Sequence, residues 1–366
     1  MNKQMIVAGL KARPVRTIVS ILAVALEVVL ILTVVGLTNG IIGETAKRTA
    51  GVGGEIMVQP PNSSRFLAMT SNTMPIAIAD KLRELSTVKA VAPIQVQVNT
   101  SDGIELIYGL DPKSFDDVSG GFTWLQGGPF KKADDIVVDD RWAKSKSADV
   151  GSQVNLLNQK YTVSGIVAEG KGARLFLSLE GARMITGQVD KVGVFYVKVK
   201  DPAHVKVAMV QIAGLLPGYT LQDVNEFVSQ FTSSNIPGLS AFINAVVFVA
   251  LCIGVLVIFL SMYTTITERT REIGILRSLG ASKAFIVGLI FQESTFLCAV
   301  GVVVGIGSSL LTGRLLVIIF PTLIVTITPW WILKASVFAI LSGIIGSFYP
   351  SLKAAAQDPV EALAYE

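Results

Sequence analysis

Histidine occurs once in the 366 residues of this chain and cysteine twice, and only 16% of the residues are charged. Each scarcity closes off a kind of chemistry. His204, which follows Asp201-Pro202, has no cysteine cluster to share a zinc ion with and reads as an ordinary surface residue. A single histidine also makes a Ser/His/Asp hydrolytic set untenable. Cys252 and Cys298 both fall inside apolar runs, so the intervening polar segment is expected to hold no disulfide. At about 190 residues, that segment is long enough to be stabilised by a core of its own. A P-loop, G-x-x-x-x-G-K-[ST], is missing too. Gly51–Gly54 runs into Glu55, and Gly301, Gly305 and Gly307 lead into Ser308-Ser309 with no lysine. Any nucleotide energy must come from a separate chain that binds ATP and Mg; this one is expected to be a non-catalytic subunit with no cofactor. No internal repeat or low-complexity tract is present.

Apolar residues are plentiful: they make up 51% of the chain, and mean hydropathy is +0.59. They gather at 18–37, 239–263, 285–311 and 330–349, each near or above the ~20 residues that cross ~30 Å of hydrocarbon as a helix. The first run is long and lacks a small-x-small cleavage site, which favours an uncleaved anchor over a signal peptide. Residues 1–17 carry Lys3, Lys11, Arg13 and Arg16 and no acid, and 264–283 carries Arg269, Arg271, Arg277 and Lys283 against Glu268 and Glu272. Residues 43–236 hold 20 basic and 20 acidic side chains, so the large insert is neutral. Basic residues beside short loops mark the cytoplasmic side. Both termini and the 264–283 loop are therefore expected inside, with the insert and a short 312–329 loop outside. The net charge of +4 follows from that bias and calls for no nucleic acid.

The fold class expected is an α-helical membrane protein with four transmembrane helices and a large α+β extracytoplasmic domain inserted between the first and second. Its parts are 1–42 (cytoplasmic segment and first span), 43–236 (outer domain), 237–263 (second span), 264–283 (cytoplasmic helix), 284–311 (third span), 312–329 (outer loop), 330–349 (fourth span) and 350–366 (tail). Within the insert, alternation and β-branched content predict strands at 54–59, 91–99, 104–109, 136–139, 153–157, 161–167 and 193–199. Helices are expected at 76–85 and 204–215, with another starting in 223–229. The helix-bearing stretch 113–150 interrupts the strand pattern and suggests two subdomains. Residues 229–239 read as the joint to the second span.

Residues 264–283 have the layout of a contact helix. Ile266, Ile273, Leu276 and Leu279–Gly280 approximate one apolar stripe, with charges crowded on the rest of the surface. Glu268 and Glu272 form an unfavourable like-charge pair four apart, which neighbouring arginines or a basic partner would offset. Gly280 is placed to end the helix and Ser282 to cap the next. The plainer alternative is a juxtamembrane connector charged only to stay out of lipid. Two carboxylates lie within apolar runs and must face protein, water or a polar neighbour. Glu27 suits a subunit interface or hydrated cavity, or a neutral residue bonded within its own bundle; Glu293, after Gln292, suits packing between spans. Gly301, Gly305 and Ser309 recur every four residues, with Gly307 between, and allow close helix approach. Trp330 and Trp331 mark the outer interface, Tyr349 the inner one, and Pro350 is expected to stop the fourth helix. Arg314 and Lys334 can snorkel.

These features together resemble the type VII ABC transporter permeases, the group that includes MacB, the LolC/LolE lipoprotein-release subunits and FtsX. The likeness runs essentially the full length and is nearest to stand-alone MacB-like permeases, since no fused N-terminal ATPase is expected. It is strongest in Thr267–Ser282 (TERTREIGILRSLGAS), with further matches at Gln292-Glu293, Gly301–Gly307 and the terminal stretch from Tyr349-Pro350-Ser351 to Tyr365-Glu366. In the insert, 135–151 (DIVVDDRWAKSKSADVG) and 161–166 resemble the MacB-type periplasmic core domain. The resemblance implies an ATPase-coupling set of Glu268, Arg269, Arg271, Glu272, Gly274, Arg277, Gly280 and Ala281. It implies two copies of a separate ABC ATPase, a second permease protomer (a homodimer, with a heterodimer the other option), and residence in the bacterial inner membrane. A periplasmic adaptor and an outer-membrane channel are further partners it allows. ATPase closure would reach the outer domain as mechanical work, driving export or extraction. The alternative is an FtsX-like regulator of an extracytoplasmic cell-wall hydrolase. No residue pattern selects a substrate.

Overall fold

A computed structural model describes residues 14–61, 63, 72–100, 105–157, 159–232, 235–236 and 238–358. The described chain divides into two bodies. One holds 14–40, 238–319 and 325–358; the other holds 41–236 and the short segment Phe320–Ile324. Helix α1 (Pro14–Gly51) is continuous through the boundary at Gly40.

The second body is α+β. In chain order its strands are β1 (Ile56–Gln59), β2 (Met74–Pro75), β3 (Val88–Asn99), β4 (Glu105–Leu110), β5 (Trp124–Gly127), β6 (Asp135–Asp139), β7 (Gln153–Leu156), β8 (Gln159–Val167), β9 (Leu175–Ser178), β10 (Lys191–Val192), β11 (Val194–Val199) and β12 (Thr220–Asp223). Its helices are α2 (Ile78–Arg83), α3 (Pro112–Ser119), α4 (Asp140–Lys146), α5 (Leu179–Thr186), α6 (Val205–Leu215) and α7 (Val224–Gln230). Ten strands form one sheet in the order β12-β1-β11-β3-β4-β9-β6-β8-β5, with β7 alongside β8. All seven predicted strands and all three predicted helices are present. The 113–150 stretch does contain helices, most of α3 and all of α4, but β5 and β6 lie between them and join the same sheet, which runs across both parts of the body.

Most of the short helices begin on a side-chain cap. Asp111, Asp139, Ser178 and Asp223 each accept a backbone N–H from the first turn of α3, α4, α5 and α7. Three apolar clusters stabilise the body, around Phe115/Phe176/Tyr196, around Phe195/Leu82/Ile212 and around Trp142/Leu177. His204 sits at the surface with Nδ1 2.8 Å from Asp201 Oδ2.

The first body is helical: the start of α1, α8 (Leu239–Glu268), α9 (Thr270–Ser278), α10 (Lys283–Ile319) and α11 (Pro329–Ala356). Among the described residues α1, α8, α10 and α11 are long and apolar enough to cross a membrane. They outrun the apolar stretches that predicted them. At 1.5 Å per residue, the 38 residues of α1 extend about 57 Å. Pro350 does not stop the last helix, which continues to Ala356. The proline removes one backbone donor, but Ala354 and Ala355 beyond it are buried in the helical core, and that packing keeps the final turn.

The candidate coupling site

Arg269 interrupts the helical path between α8 and α9, with φ −107° and ψ 18°. One non-helical residue is enough to give α9 its own direction. Its far end closes on a glycine: Gly280 N–H reaches Arg277 O and Ala281 N–H reaches Leu276 O, both at 3.0 Å, the paired bonds of a Schellman turn. That turn needs a left-handed residue, and Gly280 has φ +95°. Ser282 Oγ then accepts Phe285 N–H at 3.2 Å and caps the start of α10. The predicted stop and the predicted cap are both where the sequence put them.

The faces of α9 are partly reversed from the sequence reading. Ile266 and Ile273 are buried and Leu276 packs against the core, but Leu279 is 80% exposed and Ile275, outside the expected stripe, is 44% exposed. Two of the expected contact charges point back into the protein. Arg269 donates to Glu272 Oε2 at 2.7 Å and to Glu293 Oε2 at 3.2 Å. Arg277 Nη1 donates to the carbonyls of Ala355 and Gln357, both at 2.8 Å. Those carbonyls end α11 and lack helical partners of their own, so the cation also meets the negative end of a helix. Gly274 is buried and Ala281 packs against the core.

The expected eight therefore fall into two groups. Arg269, Gly274, Arg277 and Ala281 fasten α9 to the bundle; Glu268, Arg271, Glu272 and Gly280 remain on the outer surface with Ile275, Ser278 and Leu279. Glu268 does not oppose Glu272 unrelieved, because Arg16 lies 3.2 Å from its Oε2. Sequence reasoning missed Ile275 and Leu279 because it assigned apolar residues to the core. The surplus of apolar positions over what one narrow stripe can bury was the available signal.

Glu293 is buried in α10 and neutralised by Arg269, so it ties α10 to the α8–α9 junction. Glu27 makes one hydrogen bond within its own bundle, and its Oε1 has no hydrogen-bond partner among the described residues. Its Oε2 lies 3.0 Å from Ser342 Oγ of α11, and a Cβ on Gly254 of α8 would come within 2.0 Å of it. Two of the three packing glycines hold helices together: a Cβ on Gly301 would meet Val24 Cβ at 2.7 Å, and one on Gly305 would meet Val28 Cβ at 2.8 Å. Gly307 faces open space. Lys334 lies 4.5 Å from the centre of the Trp331 ring. The terminal matches from Pro359 to Glu366 lie outside the described residues.

The described residues thus comprise an α+β body and a helical body of four long apolar helices with a short helix at one turn. Residues 17–215 match the model of the MacB-like periplasmic core domain and 244–359 that of the FtsX-like permease C-terminal domain. The chain belongs to this MacB-like permease family. The macrolide export ATP-binding/permease protein MacB of Escherichia coli is 24% identical over 396 residues, covering 100% of this chain and 60% of that protein. MacB of Rhodopirellula baltica is 33% identical over 49% of this chain and 27% of its own length. The ABC transporter permease YknZ of Bacillus subtilis is 37% identical over 131 residues, 35% of this chain and 32% of that one. The chain thus spans less than two thirds of these relatives. The periplasmic region of MacB from Actinobacillus actinomycetemcomitans aligns with a TM-score of 0.40 at 18% identity, over 50% of this chain and 94% of that structure.

Proposed function

We propose that the chain is the membrane-spanning permease subunit of an ATP-driven export or extraction complex, lodged in the cytoplasmic membrane with the α+β domain outside and both termini inside. A separately folded ABC ATPase binding ATP and Mg docks on α9, and nucleotide-driven closure passes through the helices to the outer domain. The observation that carries this reading is the build of α9. Its outer face presents Arg271, Ile275, Ser278 and Leu279, while Arg269 and Arg277 anchor its two ends to α10 and α11. A connector that only had to stay out of lipid would have no use for a Leu279 that is 80% exposed. A push on this face reaches the bundle through two charged anchors rather than through a loose loop.

Family relatives named as macrolide exporters support export as the task. A second copy of the permease, an adaptor and an outer-membrane channel complete the proposed assembly; an FtsX-like regulator of a hydrolase has no observation of its own in favour of it. The test is co-purification from native membranes in mild detergent. Wild-type chain is expected to carry ATPase activity and an ABC ATPase with it. An Ile275→Asp/Leu279→Asp variant, whose thermal unfolding matches wild type because both residues are exposed, should lose about nine tenths of it, since buried apolar anchors dominate such interfaces. Equal recovery with both chains would overturn the docking assignment, and a hydrolase in place of the ATPase would overturn the function.

A further inference from the structure

The α+β body holds a group of buried and half-buried charged residues away from the coupling helix. Glu44 and Arg48 project from the last turns of α1; Arg174 stands immediately before β9; Asp139 ends β6. Arg174 is 9% exposed. Its Nη2 donates both to Glu44 Oε1 and, at 2.9 Å, to the carbonyl of Thr322 in the 320–324 segment between α10 and α11. Arg48 Nε lies 3.8 Å from the same Glu44 oxygen. The Arg174 carbonyl accepts Asp139 N–H at 2.8 Å, and Asp139 Oδ2 and Arg174 Nη1 have no hydrogen-bond partner among the described residues.

The main chain closes around the same point. Gly172 N–H donates to Arg48 O at 2.9 Å, which satisfies a carbonyl at the end of α1. Gly172 has φ +84°, and a Cβ there would meet Tyr108 Cε2 at 2.5 Å. A Cβ on Gly51 would come within 1.7 Å of Gly170 O. The end of α1 and the 169–174 loop therefore touch backbone to backbone. That loop feeds β9, which pairs with β4 on one side and β6 on the other, in the interior of the sheet.

We infer that Arg174 is a positioning residue that clasps three segments, the end of α1, the 320–324 loop and the entry to β9, so that displacement of either outer segment is delivered to the interior of the sheet. The purpose of the clasp rests on the permease reading above; its existence does not. Guanidinium is the group suited to it. A planar fork can hold a carboxylate and a carbonyl at fixed angles, whereas a lysine ammonium keeps the charge without that geometry. Because Arg48 also neutralises Glu44, changing Arg174 to lysine leaves no bare buried carboxylate, and the variant is expected to fold.

Hydrogen exchange on the full chain in nanodiscs, with no ATPase present, tests the clasp. Arg174→Lys should raise exchange at 320–324 about tenfold, the loss of a charge-assisted hydrogen bond, with thermal unfolding near wild type. Glu44→Gln should raise exchange in the same segment, although Glu44 makes no hydrogen bond to it among the described residues, because it orients Arg174. A merely local role predicts no such remote effect. Unchanged exchange at 320–324 in both variants would overturn the clasp. With the co-purified ATPase added, ATP should alter exchange across β9 in wild type and not in Arg174→Lys, at equal ATPase rates. An ATP response that persists in Arg174→Lys overturns transmission through Arg174. A wild type that does not respond to ATP speaks against the permease reading and removes transmission with it, leaving the clasp to the exchange results alone.

Discussion

A buried charge is tolerable when its partner is fixed, and two residues of the described chain show opposite solutions. Glu293 meets Arg269 across 3.2 Å, with the glutamate nearly buried and the arginine partly exposed. Arg269→Ala leaves the carboxylate without its counter-charge and is expected to cost roughly 3 kcal/mol, the low end for a broken buried pair because Arg269 keeps some solvent. Arg269→Ala/Glu293→Gln should recover much of that loss, and thermal unfolding in detergent measures both. Equal losses in the single and the double variant would show that the pair is not a unit. Asp139 has no such counter-charge in hydrogen-bond contact and shifts toward the protonated form instead. Burial pushes its carboxyl up to about 6, against the opposing pull of Arg174, the Trp142 N–H bond and Arg48, with Asp140 adding to the rise. A carboxyl raised above its unfolded value of 3.8 stabilises the fold fully below about pH 4 and loses that contribution as pH climbs through 6. Asp139→Asn keeps an acceptor for Trp142 N–H and does not titrate. Between pH 4 and 7 the stability of wild type should fall relative to that variant; parallel curves from scanning calorimetry would refute the assignment.

At the scale of the element, close approach and capping decide which glycines matter. Gly305→Ala drives a Cβ into α1 at 2.8 Å and should lower the unfolding temperature. Gly307→Ala meets nothing within 4 Å and should raise it slightly, because alanine is favoured over glycine inside a helix by ~1 kcal/mol. A matched pair of melting curves decides the point, and equal shifts would mean that α1 and α10 are not packed through this face. The spacing Gly301, Gly305, Ser309 made the packing face legible in the sequence, while nothing in spacing alone said that Gly307 looks outward. The same limit explains the coupling helix. Its stop at Gly280 and the cap at Ser282 depend on a few neighbouring residues and were readable. Arg277 reaching the end of α11 depends on residues 78 and 80 positions away, for which sequence carries no local signal. The helix lengths were underestimated for a related reason. Apolar runs report the width of the bilayer, whereas α1 runs on to Gly51 with Ile42 and Ala46 buried. The edge strand β5, with all four residues exposed, has no alternation to betray it.

For the whole molecule the decisive fact is where the chain passes between its two bodies. It does so beside Gly40, Ile236, Ile319 and Ile324. The last three passages lie outside the long helices, at or beyond their ends; the first lies inside the 38 residues of α1. A regular helix resists bending and twisting far better than a loop, so on the proposed permease reading α1 is the stiffest of the four connections. Stiffness of this kind has a phase. A flexible Gly-Ser-Gly insertion after Gly40 should leave the unfolding of each body unchanged and abolish the ATP-dependent change in exchange at β9. A seven-residue helical insertion adds about two turns and returns the helix to within about 20° of its starting phase. It should restore part of the response, whereas a five-residue helical insertion, about half a turn out of phase, should not. Were the flexible insertion to respond to ATP like wild type, the signal would have to run through the loops, and α1 would be a tether rather than a lever.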